Sequence, residues 1–201
     1  ITISKWMIIP TSKPRLKAET SISAMNLLYP LLLESSNEAA MALTGYLGQE
    51  NFIGSMNQKA QALGMVNTKF VDSFGGGAGN ISNTEDLFNL AKYLYNTRSF
   101  ILNLTAGKLK NTAYGPAAFS NLENFNLFGD DPAFIGGKID KTEAAGETML
   151  AIFNIEAGID PLTMLGVKRP IAIIVLNSDA DKIKNDVQTI FNWVKANYNG
   201  R

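Results

Sequence analysis

Apolar residues recur at helical spacing through the first half of the chain. Ser23 precedes an apolar run that predicts a helix over about 24–34. After a polar break at residues 35–37, an Ala- and Leu-rich run predicts a second helix that ends at Gly48. A third, amphipathic helix is predicted to close at Gly64, and four residues form its buried face: Phe52, Met56, Ala60 and Leu63.

A Gly-rich stretch at residues 73–80 precedes the next predicted helix. That helix is expected to open with a capping box over Ser82-Asn83-Thr84-Glu85. Gly-rich segments ahead of helices can hold phosphate, but neither a GxxxxGK[ST] nor a GxGxxG pattern is present. We therefore expect a loop here and not a nucleotide site.

Beyond Thr105 the pattern changes toward β-structure. Short apolar segments near 109–119 are followed by the candidate strands 134–140, 148–155 and 169–177. The last two are predicted to be antiparallel neighbours joined by a long connection, because their apolar runs are too continuous for exposed edges. A helix near 182–197 is expected to pack on the sheet through one face: Ile183, Val187, Ile190, Phe191 and Val194. Helices first, then strands, then a helix predict a layered α+β domain.

Composition narrows the class of partner. The 201 residues are 46% hydrophobic and carry no net charge, so we expect a single domain over residues 1–201 without an electrostatic drive toward nucleic acid or an anionic membrane. Residues 1–10 lack the features of a signal peptide, and no apolar run is long enough to span a membrane. Because the chain opens on a β-branched run without Met, we expect further residues upstream.

The chain contains no Cys and no His, which limits the chemistry that it can perform. Thiol nucleophiles, Ser-His-Asp triads and most zinc sites are excluded, and we expect no metal or cofactor. Any catalysis must use Ser, Thr, Lys, Asp, Glu or Tyr side chains.

Three segments together resemble the D-alanyl-D-alanine carboxypeptidase family, the serine peptidases that include the low-molecular-mass penicillin-binding proteins. They are LLYPLLLESSNEAAMAL with a Ser-x-Asn motif, NFIGSMNQKAQALGMVNTKFVDSFG, and GGKIDKTEAAGETMLAIF, which is similar to the Lys-Thr-Gly strand. Each is weak alone, but their order and spacing make the match specific. The resemblance implies a β-lactamase/transpeptidase-like fold, with an antiparallel sheet flanked by helices and a mostly helical subregion.

The resemblance implies serine-type acyl transfer on peptidoglycan stem peptides, with β-lactams as alternative ligands, in an extracytoplasmic location. Acyl transfer without His needs a serine activated by a nearby lysine, which the family supplies as Ser-x-x-Lys. No serine of this chain has Lys three positions later. We therefore expect the nucleophile in a segment upstream or on a second chain, and any membrane anchor outside this chain. The alternative is a non-catalytic relative that binds peptidoglycan or a protein partner.

The resemblance assigns catalytic roles to three residues. Ser35 would relay a proton to the leaving D-alanine, Asn37 would hold the substrate backbone, and Lys138 would attract the substrate carboxylate. The alternative for Ser35 and Asn37 is that both cap the helix that follows. We predict that the three residues converge on one cleft between the helical part and the sheet. Glu34, Glu38 and Glu143 are interpreted as solvated.

The candidate substrate-binding residues are Ile139, Asp140, Lys141 and Thr142. Ile139 stands where the family has Thr, and Asp140 stands where it has Gly, whereas the amide of Lys141 matches one oxyanion donor. Residues 138 and 140 project to one face of a strand. We therefore predict that Asp140 pairs with Lys138, or at least faces the cleft, and opposes an anionic substrate terminus.

Overall fold

The computed structural model describes residues 1–109, 118–160 and 162–198. A short 3-10 helix, Lys5–Met7, is followed by five α-helices: α1 (Ala24–Leu33), α2 (Asn37–Leu47), α3 (Gln49–Ala62), α4 (Thr84–Thr97) and α5 (Ser99–Thr105). The strands β1 (Phe134–Thr142), β2 (Gly146–Ile159) and β3 (Gly166–Ser178) come next, and α6 (Ile183–Tyr198) follows them. The predicted α+β class is confirmed. Most of the short apolar segments predicted near 109–119 fall within 110–117, which lie outside the described residues.

The three strands form an antiparallel sheet in the order β1-β2-β3. Leu150 pairs with Lys138 on one side and with Ile174 on the other, which confirms the predicted pairing of the last two strands. β3 nevertheless lies at the edge of this sheet in the described part of the chain, although its apolar run suggested an interior strand.

Helices cover both faces of the sheet. On one face α6 buries Ile183, Val187 and Phe191 against the sheet, with the Phe191 ring stacked on Phe153 at a centroid distance of 4.3 Å. On the other face, a cluster around Ala91 of α4 packs on β2. The predicted packing of the last helix is therefore confirmed, except that Ile190 is 40% exposed because it lies beside the buried stripe.

Three local predictions are corrected. The N-cap of α4 is Asn83, which accepts from the N–H of Asp86 at 2.8 Å, and the start of the helix is therefore one residue later than predicted. The connection after β2 is also shorter than predicted, because the strands pair out to Ile159 and Gly166. On α3 only Ala60 is fully buried, since the helix lies at the surface of the fold.

Candidate active site

The break between α1 and α2 gives Ser35 an unusual backbone conformation. The carbonyl of Pro30 accepts hydrogen bonds from the N–H groups of Glu34 (3.0 Å) and Ser36 (3.1 Å), and α1 ends there. Between these two residues Ser35 has φ +54°, in the left-handed region that non-glycine residues seldom occupy. Such a conformation persists only where the surrounding structure holds it.

The cap of α2 is neither Ser35 nor Asn37. Ser36 is the N-cap, and its hydroxyl accepts from the N–H of Ala39 at 3.3 Å. The capping alternative for Ser35 and Asn37 is therefore wrong. The side chain of Ser35 is available for another contact, and the amide of Asn37 donates to the carbonyl of Pro10 at 2.9 Å.

Lys138 of β1 and Ser35 meet directly, although 103 residues separate them. The Nζ of Lys138 donates to the Oγ of Ser35 at 2.9 Å and also donates to the carbonyl of Ile139. Burial lowers the pKa of Lys138 below the usual value for lysine, an effect that the charge of Asp140 opposes in part. The site therefore holds a hydroxyl and an amine in contact, with the charged form of the amine disfavoured by its surroundings.

Two glycines let β1 lie close to its neighbours, α5 on one side and β2 on the other. A Cβ on Gly136 would lie 2.5 Å from the carbonyl oxygen of Leu102 in α5, and one on Gly137 would lie 2.3 Å from the carbonyl oxygen of Leu150. The N–H of Gly137 donates to Thr105 Oγ1 at 3.0 Å. A larger residue at Gly136 would push β1 away from α5, and one at Gly137 would push it away from β2, so either would move Lys138.

Asp140 faces the same groove as Lys138. This groove, of about 440 Å³, runs between α4, α5 and the sheet and is lined by Lys138, Asp140 and mostly apolar residues. No ion pair joins Lys138 to Asp140 among the described residues. The carboxylate of Asp140 instead accepts from the N–H of Lys141 at 2.9 Å. The predicted salt bridge between Asp140 and Lys138 is therefore wrong. The weaker prediction, that Asp140 faces the groove, agrees with the structure.

The other three candidate substrate-binding residues have separate surroundings. The side chain of Ile139 packs against the core between the sheet and α6. It therefore does not line the groove, although the sequence analysis placed Ile139 among the substrate-binding residues. The ammonium of Lys141 is paired with Glu147 at 3.0 Å. Thr142 accepts from the N–H of Ala145 at 3.0 Å and lines a second groove, of about 430 Å³, which also includes Asp140.

The Gly-rich loop forms one wall of that second groove. Asp72 organises it: its carboxylate accepts from the N–H groups of Phe74 (3.0 Å), Gly75 (2.6 Å) and Gly77 (2.6 Å). Burial alone would raise the pKa of Asp72, but these hydrogen bonds and one from Asn80 lower it below its ordinary value. The backbone N–H groups that could have held a phosphate are therefore occupied by this carboxylate.

Two glutamates beside Ser35 are buried, and the interpretation that they are solvated is wrong. Glu34 binds the guanidinium of Arg15 through both carboxylate oxygens, at 2.5 and 2.9 Å, and its side chain is 0% exposed. Glu38 accepts from the N–H groups of Arg15 (3.0 Å) and Leu16 (3.2 Å). Together these contacts hold the segment before α1 against the α1–α2 break. Glu143, in contrast, is exposed as expected.

Sequence reasoning missed Arg15 and Asn126. Asn126 is fully buried and contacts both α1 and β1 through its side chain. Its signal in the sequence is a polar residue inside the apolar run Phe125–Phe128, which is typical of a buried hydrogen-bonding group. Arg15 gives no comparable signal, because its partner Glu34 is 19 residues away.

No helix in the described ranges is both long and apolar enough to cross a membrane.

The sequence model of the D-alanyl-D-alanine carboxypeptidase family matches residues 2–158. A D-alanyl-D-alanine endopeptidase of Haemophilus influenzae is 44% identical over 84 residues, which are 41% of this chain and 29% of that protein. The chain spans between 20% and 33% of the length of the curated relatives it matches.

Solved structures agree on the fold. An evolved putative penicillin-binding protein homolog from Mycobacterium tuberculosis superposes with a TM-score of 0.79 at 22% identity, over 98% of this chain and 73% of that one. Penicillin-binding protein D2 from Listeria monocytogenes, solved in a cefotaxime-bound form, gives a TM-score of 0.70 at 26% identity, over 97% of this chain and 72% of that one. The β-lactamase/transpeptidase-like fold is confirmed, and the chain belongs to the D-alanyl-D-alanine carboxypeptidase family, peptidase family S11.

Proposed function

We propose that this chain is part of a serine-type D-Ala-D-Ala carboxypeptidase that acts on peptidoglycan stem peptides through an acyl-enzyme. The observation that carries the proposal is the 2.9 Å contact between Lys138 Nζ and Ser35 Oγ. It joins the two family motifs, Ser-x-Asn and the lysine of the Lys-Thr-Gly strand, at one point of the fold. Family membership supports the same reaction class.

The nucleophile is proposed to lie outside these 201 residues, because the sequence has no Ser-x-x-Lys. That serine would attack the carbonyl of the penultimate D-alanine and release the terminal D-alanine. Water would then release the acyl group. We take residues 1–201 as one part of a single domain that this segment completes, whether it comes from upstream or from a second chain.

In this mechanism Ser35 carries a proton to the leaving amine. Because Lys138 donates to the Ser35 oxygen, the hydroxyl hydrogen of Ser35 is free to point toward the substrate. The lowered pKa of Lys138 eases transfer of a proton from its ammonium to Ser35 as Ser35 gives up its own. Lys138 would also attract the terminal carboxylate, and Asn37 would hold the peptide backbone of the substrate.

The substrate-binding strand is proposed to be β1 from Lys138 to Thr142. Ile139 and Asp140 would act through their backbone, and the Lys141 amide would be one donor to the oxyanion. Because the proposed substrate is peptidoglycan, the protein would act outside the cytoplasm, in the periplasm or at the cell surface. β-Lactams would bind as substrate analogues, and the Listeria protein has been solved in a cefotaxime-bound form.

The test is acylation by a fluorescent penicillin, measured on the protein that carries this chain together with its Ser-x-x-Lys segment. We expect covalent labelling in the parent and a strong loss in Ser35→Ala. Ser55→Ala, on the exposed surface of α3, is the matched serine control and should label like the parent. Absence of labelling in the parent would reject the proposal.

One observation favours the alternative of a non-catalytic relative. The carboxylate of Asp140 accepts the Lys141 N–H, the same group that the enzyme would need as an oxyanion donor. Such a protein would bind peptidoglycan or a protein partner in the groove without turnover. Binding of stem peptide without labelling by penicillin would identify it.

A further inference from the structure

One buried side chain, that of Asn126, joins the helical part of the fold to the sheet beside the candidate site. Its Nδ2 donates to the carbonyl of Leu32 in α1 at 2.9 Å, and its Oδ1 accepts from the N–H of Ile139 in β1 at 3.2 Å. Asn126 is 0% exposed. The same Nδ2 lies 3.0 Å from Asn124 Oδ1 and 3.4 Å from the carbonyl of Thr105.

Both ends of this bridge lie close in sequence to the Ser35–Lys138 contact. Leu32 is three residues before Ser35, and Ile139 directly follows Lys138. Among the described residues β1 pairs with a strand on one edge only, whereas on its other edge the N–H of Gly137 is bonded to Thr105 and that of Ile139 to Asn126. Of these two bonds, the one to Asn126 continues directly to α1, the helix that ends beside Ser35, and it therefore ties the position of Lys138 to that of Ser35.

The amide of Asn126 supplies a donor and an acceptor to two elements at once. Its amide satisfies one backbone carbonyl and one backbone N–H that would otherwise be buried and unpaired. An aliphatic side chain satisfies neither, and a serine hydroxyl is too short to reach both. Without the bridge, the cost of burying these two unpaired backbone groups is relieved when β1 separates from α1, because water can then reach both of them.

We propose that Asn126 is a positioning residue that holds β1 against α1, so that Lys138 stays in contact with Ser35. The inference rests on the proposed function, because that function gives the contact its purpose. Among the described residues Asn126 forms no hydrogen bond with Ser35 or Lys138, and it takes no part in proton transfer. Its effect is to set the distance and the burial of the pair.

The experiment uses the complete protein, with its Ser-x-x-Lys segment, in the absence of substrate, so its outcome does not depend on activity. Asn126→Ala is compared with Phe191→Leu, which removes packing on the opposite face of the sheet. Asn126→Ser is the second variant, and it covers the case in which the alanine variant does not fold. Hydrogen exchange of the Ile139 amide reports the bridge, and NMR titration of the Lys138 side chain reports the burial of the amine.

In both Asn126 variants the Ile139 amide should exchange at least about tenfold faster than in the parent, while amides paired between β2 and β3 keep their protection. The pKa of Lys138 should move up toward the usual lysine value, since water reaches the amine while Asp140, the charged group acting on it, stays on β1. Phe191→Leu should lower the melting temperature without either change. An unchanged Lys138 titration in Asn126→Ser would overturn the proposal and leave Asn126 a purely structural role.

A separate arm connects the bridge to the proposed function. In the protein that can be acylated, Asn126→Ser should label more slowly with fluorescent penicillin per folded molecule, and Phe191→Leu should not. If the parent is not labelled, the proposed function is rejected, while the Ile139 and Lys138 measurements still decide the role of Asn126. If the parent and Asn126→Ser label equally fast, the positioning role is rejected and the function stands.

Discussion

The carboxylate of Asp140 accepts a hydrogen bond from the backbone N–H of Lys141 at 2.9 Å. That N–H is the proposed oxyanion donor, so the side chain of Asp140 competes with the reaction for it. The family has glycine at this position, which leaves the amide free. Asp140 also places a negative charge on the groove that would receive a substrate carboxylate.

Restoring the family motif should therefore speed acylation. We expect Asp140→Gly, which restores the glycine of the family motif, to raise the rate of labelling by fluorescent penicillin on the order of 100-fold, the lower end of the range for one oxyanion donor. The glycine should cost about 0.5–1 kcal/mol of stability in the strand. Glu143→Gly, at an exposed position three residues further on, is the control. Equal rates in the parent and the restored variant would show that Asp140 does not obstruct the site.

The neighbouring serines Ser35 and Ser36 should give opposite results. Ser36→Ala removes the cap of α2 and should lower the free energy of unfolding by about 1 kcal/mol with little change in acylation. Ser35→Ala should lower acylation about 100-fold or more, because it removes the proton relay, with a smaller effect on stability. Chemical denaturation and penicillin labelling measure the two effects. A Ser36 variant that loses acylation more than the Ser35 variant would contradict the assignment.

The effects of Arg15 and Glu34 on stability should be strongly coupled, because removing one leaves the other's charge unpaired. Arg15→Met leaves the fully buried carboxylate of Glu34 without its guanidinium and should lower the free energy of unfolding by about 3 kcal/mol. Arg15→Met combined with Glu34→Met should recover much of that loss, because no unpaired charge remains. Urea denaturation of both single variants and the double variant completes the cycle. Additive effects in the double variant would show that the two side chains are not coupled.

Lys138 should reduce stability at neutral pH. Its pKa in the folded chain is lowered, mainly by burial, so below that pKa the folded state bears the full cost of the buried charge. As pH rises from that pKa toward about 10.4, the unfolded state binds more protons and the parent gains stability. Lys138→Met should therefore be more stable by about 0.5–2 kcal/mol at pH 7, and the gain should shrink toward pH 10. Melting temperatures across this range measure it, and a destabilised variant at pH 7 would refute the claim.

Most of the fold could be predicted from the sequence because it rests on local patterns. The continuous apolar runs of β2 and β3 and the amphipathic period of α6 each extend over enough residues to be unambiguous. The predictions were wrong mainly where they depended on the identity of a single residue, as at the start of α4. Asn83 and Ser82 are both good caps, and the sequence does not distinguish between them.

The site was harder to predict because its contacts join distant parts of the chain. The family motifs indicated Ser35 and Lys138, which meet across 103 residues. Glu34 was interpreted as solvated, because charged residues are mostly exposed unless they are paired, and its partner Arg15 gives no local signal. The orientation of Asp140 toward the Lys141 amide depends on a side-chain rotamer, which no periodicity specifies.

The central claim is that Ser35 and Lys138 form the proton relay of an acylating serine peptidase. The most direct measurement is the intact mass of the complete protein, with its Ser-x-x-Lys segment, during incubation with a penicillin. We predict that the parent and Ser36→Ala gain the mass of one penicillin, and that Ser35→Ala gains it at least about 100 times more slowly. A Ser35→Ala variant that forms the adduct as fast as the parent, or a parent that forms none, would contradict the account.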